Sequence, residues 1–258
     1  MKTKTQPYPG TQSVLRAMSL LKAFDDERRE WGLADLAREV GLNKTTTFRL
    51  LTALESEGMV AKRPSTDTYT LGPEIVALGG RALRNNDLRT LVKPELEQMA
   101  TASGETATLE ILSGEDHVLI IDEVIGTHLV GSSQSLGTRW PIVATSTGIA
   151  MLAYLPEAHV ETVLQRPLPT PTPKSIKDPA ILRQAIAAVR PRGYSVVEEW
   201  LEVGLNVVGA PLFNHDGQVI AAISLGGPAT RFTTERVPEM GEIVKETAVR
   251  ISAKLGNK

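Results

Sequence analysis

The chain contains no cysteine, so neither disulfide bonds nor thiolate metal sites contribute to its structure. Aromatic residues make up only 4% of its 258 residues. No apolar run approaches the roughly 20 residues that a membrane-spanning helix needs. Residues 1–10 are polar and lack the apolar core of a secretory signal peptide. These absences predict a cytoplasmic protein that has no membrane contact.

The chain also lacks a strong charge of one sign, since its formal net charge is −2. Residues 1–72 hold 11 lysines and arginines against 9 acidic residues, whereas the rest of the chain holds 17 against 21. This imbalance is too small to attract a polyanion by itself. Any affinity for nucleic acid must therefore come from cations that cluster on one face.

Three short helices are predicted near the start of the chain. Apolar residues at helical spacing predict helices over residues 12–24 and 32–40. Gly41 suits the C-terminus of the second helix, and Asn43 is a strong N-cap for a third over residues 44–57. Two short helices that are joined by a turn of three residues have the spacing of a helix-turn-helix.

The third helix has an apolar side and a polar side. Leu50, Leu51 and Leu54 define the buried side, and at about 100° per residue Thr47 falls on it too. The opposite side carries hydroxyls and cations, which suit a groove lined by phosphates and base edges. An ordinary solvated helix face is the alternative. The candidate DNA contacts of this helix are Lys44, Thr45, Thr46, Arg49 and Thr52.

A β-hairpin is predicted after the third helix, over residues 59–72, because two short strand-like runs flank a polar turn. Lys62 and Arg63 lie near its tip. A hairpin in this position is a wing, and its cations would reach the DNA backbone or the minor groove. The alternative for these two cations is an ordinary charged turn.

Residues 32–60, GLADLAREVGLNKTTTFRLLTALESEGMV, followed by YTLGPEIVALG at residues 69–79, resemble the winged helix-turn-helix of the IclR-type transcription regulators. The resemblance implies a double-stranded DNA operator as partner. It also implies that the predicted helix beginning at Pro73 links two domains. We therefore expect a DNA-binding domain over residues 1–72, a linker helix over 73–86 and an effector-binding, oligomerising domain over 87–258.

The second part of the chain predicts an α+β domain, with strands grouped at both ends of a helical middle. Strands are predicted over residues 106–112, 118–124, 127–131, 195–199, 206–212 and 219–225. Helices are predicted over residues 87–103, 146–155, 156–164, 179–190 and 234–255. Three prolines in residues 168–173 exclude helix and sheet core there and predict an extended surface connection.

Four motifs, at residues 140–150, 192–195, 204–211 and 222–228, resemble the effector-binding domain of the same family, which has a PAS/GAF-like fold. The resemblance covers about residues 12–255. It implies that a small metabolite binds between the sheet and the segment that begins at Ala144. The lining carried over is Trp140, Ser146, Thr147, Val197, Leu205, Val207, Ser224 and Gly226. For each apolar member, an ordinary core position is the alternative.

Two departures from the family pattern change the expected ligand. Family members often carry an acidic residue near Val197 and a serine at Gly226, so this pocket is less polar than theirs. Ser146, at a helix start, would offer a hydroxyl and free N–H groups to a carboxylate. A hydrophobic or aromatic effector is the hypothesis, with an aromatic acid as the specific candidate.

A serine hydrolase is one alternative function. Residues 144–148 and 222–226 approximate the G-x-S-x-G nucleophile turn, but alanine replaces the first glycine in both. None of the four histidines has metal-ligand spacing, although His117 and His128 could meet across strands. We predict no catalytic residues, no cofactor and no metal. The other alternative is a ligand-independent DNA-binding protein, which would need no pocket.

The hypothesis is therefore a ligand-responsive regulator of a catabolic or transport operon. A homodimer or tetramer would place two recognition helices in successive major grooves of a pseudo-palindromic operator. The effector would act on the DNA-binding modules through the linker helix, and by linkage DNA would affect the effector equally. Both a repressor and an activator are compatible with the sequence, and a repressor is favoured.

Overall fold

The computed structural model describes residues 10–25, 28–128 and 136–257. Contacts between Cα atoms divide the chain into two compact units, which meet between Asn85 and Asn86. Within the described ranges, no helix is both long enough and apolar enough to cross a bilayer.

The first unit is a winged helix-turn-helix, as predicted. Its elements are α1 (Gln12–Lys22), β1 (Trp31–Gly32), α2 (Leu33–Glu39), α3 (Lys44–Ser56), β2 (Val60–Arg63), β3 (Thr68–Leu71) and α4 (Pro73–Arg84). The three strands form an antiparallel sheet in the order β1-β3-β2. β1 was not predicted, because two residues carry no alternation and are recognised only through their pairing with β3.

The core of the first unit joins α1, α2 and α3 to the sheet. Leu20 of α1, Leu36 of α2 and Leu51 of α3 are fully buried against each other's helices. Trp31 and Tyr69 face each other across β1 and β3 and close the core from the sheet side. The short helices are therefore held by tertiary burial, since isolated helices of this length are marginal in water.

The second unit is an α+β domain, which confirms the predicted fold class. Its helices are α5 (Asp87–Ser103), α6 (Ser146–Leu152), α7 (Glu157–Leu164), α8 (Pro179–Ala187), α9 (Val189–Arg192) and α10 (Val237–Lys254). Its strands are β4 (Thr106–Ser113), β5 (His117–Val124), β6 (Arg139–Pro141), β7 (Ser195–Glu198), β8 (Leu205–Phe213) and β9 (Val219–Pro228). The strands form one antiparallel sheet in the order β6-β5-β4-β9-β8-β7.

One predicted helix of this unit is divided in two, one predicted strand is not formed by its described residues, and β6 was not predicted. The helix expected over residues 179–190 is two helices, α8 and α9, since Pro191 has no N–H to continue the first one. Residues 127–128 form no strand, and the rest of the strand expected over 127–131 lies outside the described residues. The chain leaves the sheet after Val124, where Gly126 packs directly on the backbone of Gly104 and Glu105.

The sheet has a different helix layer on each face. Helices α5 and α10 cover one face, and α6 packs on the other, where α7 and α8 extend the apolar core. Two buried carboxylates hold the first layer: Asp122 of β5 accepts a hydrogen bond from Lys93 of α5 at 3.0 Å, and Glu95 of α5 accepts one from Lys254 of α10 at 2.7 Å. The α6 face is the one that carries the candidate effector site.

Candidate DNA-binding surface and effector pocket

The start of α3 is set by a side-chain cap. Asn43 has extended backbone angles, and its Oδ1 accepts a hydrogen bond from the backbone N–H of Thr46 at 2.8 Å. Its carbonyl accepts a second bond from the Thr47 hydroxyl at 3.0 Å. Thr47 is fully buried beside Leu51 and Leu54, as the helical phase predicted. The cap therefore fixes where α3 begins and which side faces outward.

We expect Asn43→Ala to destabilise the first unit by about 0.5–2 kcal/mol, because the Thr46 N–H loses its side-chain acceptor. Denaturant unfolding of the full chain measures the change. Asn43→Ser is the matched control, since serine caps helices nearly as well and should leave the unfolding midpoint close to that of the wild type. Equal midpoints for the alanine and serine variants would show that the cap has no role.

The outward side of α3 presents unpaired cations. Lys44, Thr45, Arg49 and Thr52 are exposed and Thr46 is half-buried. In the part of the chain that the structure describes, neither Lys44 nor Arg49 forms an ion pair, so both charges are available to a polyanion. The Thr52 hydroxyl donates to the Phe48 carbonyl at 2.9 Å, which leaves its oxygen as an acceptor.

The two cations of the wing, by contrast, are already paired. Lys62 Nζ lies 2.7 Å from Asp67 Oδ1, and Arg63 Nη1 lies 2.7 Å from Glu30 Oε1. The hydrogen bond and the charge of Asp67 raise the pKa of Lys62 above its ordinary value. Because both cations are exposed, these pairs are weak and can be exchanged for phosphates. Before DNA binds, the charges of the wing cations are therefore more fully compensated than those of Lys44 and Arg49 on α3.

The predicted effector site is a small pocket between α6 and the sheet. Its volume is about 20 Å³. A space of that size holds about one water molecule. Four of the residues expected to line it do so: Ser146, Val197, Leu205 and Val207. The other lining residues are Glu110, Ala144, Thr145 and Leu201.

Other residues expected at the pocket lie behind or away from its wall. Thr147 is fully buried, and its hydroxyl bonds to Glu110 at 2.6 Å. The Ser224 hydroxyl bonds to that of Thr108 at 2.6 Å, and Gly226 pairs with Val207 in the sheet. Trp140 lies on β6 opposite Val118, where it packs against the core beneath α6. The structure thus does not bring Trp140 to the pocket wall.

The N-terminus of α6 lies directly on the sheet because one sheet position has no side chain. A Cβ on Gly209 of β8 would lie 2.9 Å from the carbonyl carbon of Ser146. The Ser195 hydroxyl, on β7, donates to the Ser146 carbonyl at 2.6 Å. Ser146 is therefore anchored by β7 and β8, and the pocket is narrow because α6 approaches so closely.

Glu110 is the pocket residue that was not predicted. It is 3% exposed and lies on β4, on the same face as Thr108. Burial raises the pKa of its carboxyl group, and hydrogen bonds from Thr147 and Thr108 oppose that shift only partly. The signal was a single carboxylate within the otherwise uncharged strand TATLEILS, since an acid rarely enters a sheet core without a reason.

The raised pKa of Glu110 predicts a pH-dependent stability. The unfolded-state pKa is near the ordinary value of 4.5, and the folded-state pKa lies above it. The neutral form therefore favours folding fully below the unfolded pKa, and this contribution is lost as pH rises through the folded pKa. We expect Glu110→Gln to remove that loss, so that unfolding free energies measured from acidic to neutral pH fall less steeply than in the wild type. Parallel pH profiles would contradict the expectation.

Among the described residues, no histidine forms a hydrogen bond with either candidate nucleophile of the hydrolase alternative, Ser146 or Ser224. Ser224 bonds to Thr108, and the carbonyl of Ser146 accepts from Ser195. His117 begins β5 and His128 follows its end, so the two histidines lie at opposite ends of the strand and do not meet. Among the described residues, no group of three or more potential ligands is arranged to hold a metal ion.

A winged helix-turn-helix with a cationic α3, followed by a separate domain with an internal pocket, is the architecture of a DNA-binding transcription regulator that responds to small molecules. The chain belongs to the IclR family of such regulators. The family model for the IclR helix-turn-helix domain matches residues 13–64, and that for the bacterial transcriptional regulator IclR C-terminal domain matches residues 80–253. The expectation that the chain is a regulator and not an enzyme is confirmed by these matches.

Full-length relatives agree with this assignment. The chain is 33% identical over 255 residues to the transcriptional repressor IclR of Escherichia coli, covering 98% of this chain and 93% of the repressor. An IclR transcriptional regulator from Alicyclobacillus acidocaldarius is 32% identical, with a TM-score of 0.84 over 95% of this chain and 98% of that one. An IclR homologue from Microbacterium hydrocarbonoxydans, solved in complex with 4-hydroxybenzoate, is 26% identical, with a TM-score of 0.78 over 94% of this chain and 98% of that one.

Proposed function

We propose that the protein is a cytoplasmic repressor of a catabolic or transport operon, and that a small acid controls its affinity for the operator. The observation that carries the proposal is the outward side of α3, where Lys44 and Arg49 are exposed and form no ion pair within the described ranges. Relatives that are named repressors support the sign of regulation. Residues 1–72 bind DNA, residues 73–86 link the domains, and residues 87–258 bind the effector.

The proposed DNA contacts divide by role. Arg49 has the length and the planar fork to pair with a guanine edge, while Lys44 neutralises a phosphate. Lys62 and Arg63 follow the backbone from the wing after exchanging their carboxylate partners for phosphates. The hydroxyls that supplement these cations are those of Thr45, Thr46 and Thr52.

We propose a homo-oligomer, a dimer or tetramer, because two helices of the first unit expose apolar side chains. Val76 of α4 is 77% exposed, and Val14 of α1 is 57% exposed. Leu15 and Met18 of α1 and Leu78 of α4 add to these surfaces. Val14, Leu15 and Met18 share one face of α1, and an exposed apolar face of this kind is typical of a surface that a second subunit covers. A paired arrangement would present two copies of α3 to a two-fold symmetric operator.

The proposed effector is a small acid, with an aromatic acid as the specific candidate. Val197, Leu201, Leu205 and Val207 give the pocket an apolar wall, and the relative solved with 4-hydroxybenzoate supports this ligand class. A ring cannot enter a volume of about 20 Å³, so the pocket must open on binding. That opening is the change through which the effector would alter DNA binding.

Footprinting tests this function. The full chain is incubated with the DNA upstream of its own gene, with and without a panel of aromatic and short aliphatic acids. We expect one protected pseudo-palindrome and at least one acid that weakens protection. A chain that protects no site refutes the regulator, and protection that no acid changes identifies the ligand-independent DNA-binding protein instead.

A further inference from the structure

Glu110 lies in the middle of a row of hydroxyl groups beneath α6. The Thr147 hydroxyl donates to Oε2 at 2.6 Å, and the Thr108 hydroxyl donates to Oε1 at 3.0 Å. Thr108 bonds in turn to Ser224 on β9 at 2.6 Å. An ionised carboxylate offers about four acceptor positions, and a protonated carboxyl group offers fewer together with one O–H donor, so in either form acceptor capacity remains after these two bonds. Glu110 also lines the pocket, which places part of that capacity where a ligand would bind.

No positive charge compensates Glu110 within the described residues. Its sheet neighbours in register are Ile120 and Ala222, and α6, β8 and β9 contain no ionisable side chain. Of the ionisable groups on the remaining strands, Arg139 is exposed on the edge strand β6, beside β5, and three others have partners of their own. His117 bonds to Asp116, Asp122 pairs with Lys93 of α5, and Glu198 bonds to Thr234. Glu199 and Glu202, in the loop that carries Leu201, are acidic, and the cation Lys174 is paired with Glu199.

We propose that Glu110 selects the effector, and that the end of the effector that enters the pocket carries a hydroxyl or amine which donates a hydrogen bond to the Glu110 carboxyl group. The proposal rests on the proposed function, since it assigns the ligand class of the same pocket. A carboxylate at that end would meet Glu110 with no cation between them, so that its binding would require Glu110 to hold a proton. An apolar end would displace water from Glu110 and leave its free acceptor positions unpaired, which is costly in a buried site.

An apolar body and an acid group are therefore not sufficient for a ligand of this pocket. Such an acid must direct a hydroxyl or amine toward Glu110 and its carboxylate away from it. Sites that hydrogen-bond a buried hydroxyl reject analogues lacking it much more strongly than apolar pockets reject a missing methylene. Discrimination between a hydroxylated ligand and its deoxy analogue is thus the property that Glu110 should control.

Calorimetric titration of the full chain with matched probes tests the assignment. The probe pairs are 4-hydroxybenzoate with benzoate, 4-aminobenzoate with benzoate, and glycolate with acetate. We expect the donor-bearing member of at least one pair to bind at least about tenfold more tightly to the wild type. In Glu110→Met, which has similar volume and no acceptor oxygen, the two members should bind within about twofold of each other. Glu110→Gln keeps a carbonyl acceptor and should restore part of the preference.

The controls separate this role from a structural one. Glu97→Met, on the exposed side of α5, should keep the wild-type preference. Circular dichroism checks folding, and Glu110→Ala replaces Glu110→Met if the methionine variant does not fold. Equal binding within every pair, a preference that survives in Glu110→Met, or no binding by any donor-bearing probe overturns the proposal.

Operator binding by the wild type is measured in parallel, so that the two proposals can fail separately. If acids that carry no hydroxyl or amine donor weaken operator binding, the proposed regulator is supported and the proposed role of Glu110 is refuted. If the wild type protects no DNA, the regulator itself is refuted, whatever the titrations show.

Discussion

Replacing Arg49 with alanine is expected to weaken operator binding by about 1–3 kcal/mol and to relax the base preference at one position of each half-site. The reason is that Arg49 lies on the outward side of α3 with no ion-pair partner in the described part of the chain, so its guanidinium is free to pair with a base edge. Titration of the full chain against the footprinted operator, and against operators with single base changes, measures both effects.

Arg63→Ala is the matched control for Arg49→Ala, because it also removes an exposed arginine from the first unit. Arg63 is paired with Glu30, so its removal should cost less affinity and should weaken all sequences equally. Lys44→Ala should also act on all sequences and reduce the salt dependence by about one phosphate contact. If Arg49→Ala and Arg63→Ala have the same effect on every operator, Arg49 does not read a base.

Arg231→Leu is expected to lower the free energy of unfolding of the second unit by about 3–5 kcal/mol. Arg231 Nε and Nη2 each lie 2.7 Å from one oxygen of Glu105, a two-point contact that raises the pKa of Arg231. Glu105 is 1% exposed, so without the arginine a carboxylate stays buried with its main partner removed. Gly227 packs directly against that carboxylate. Denaturant unfolding followed by circular dichroism measures the loss.

The double variant Glu105→Gln with Arg231→Leu distinguishes a buried charge from lost packing. Because glutamine carries no charge, the double variant should be more stable than Arg231→Leu alone, even though it lacks the same arginine. Equal stability of the single and double variants would assign the loss to packing of the arginine side chain. Operator binding by folded Arg231→Leu should be unchanged, since Arg231 lies outside both the DNA-binding unit and the lining of the effector pocket.

Elements whose ends carry local signals were predicted with nearly correct bounds. Asn43 marks the first residue of α3, and the predicted helix over 87–103 coincides with α5, which Asn86 caps at one end and Gly104 ends at the other. Capping and helical period depend on residues within one or two turns, so the sequence contains them in full. The two shortest strands, β1 and β6, have no such signal and exist only through their partners.

By itself, the sequence determined the order of the winged helix-turn-helix, the linker helix and the α+β domain. It also determined the buried and outward sides of α3 and four of the residues that line the pocket. The tertiary structure alone decided which charges are paired and which side chains share the pocket. Arg63 pairs with Glu30, which precedes β1. Glu110 on a strand accepts a hydrogen bond from Thr147 on a helix, although the two residues are 37 positions apart in the chain. Trp140 packs away from the pocket. These outcomes depend on register and on the approach of α6 to Gly209, and such long-range contacts leave no periodic pattern in the sequence. The unpaired Arg49 and the uncompensated Glu110 are therefore properties of the fold.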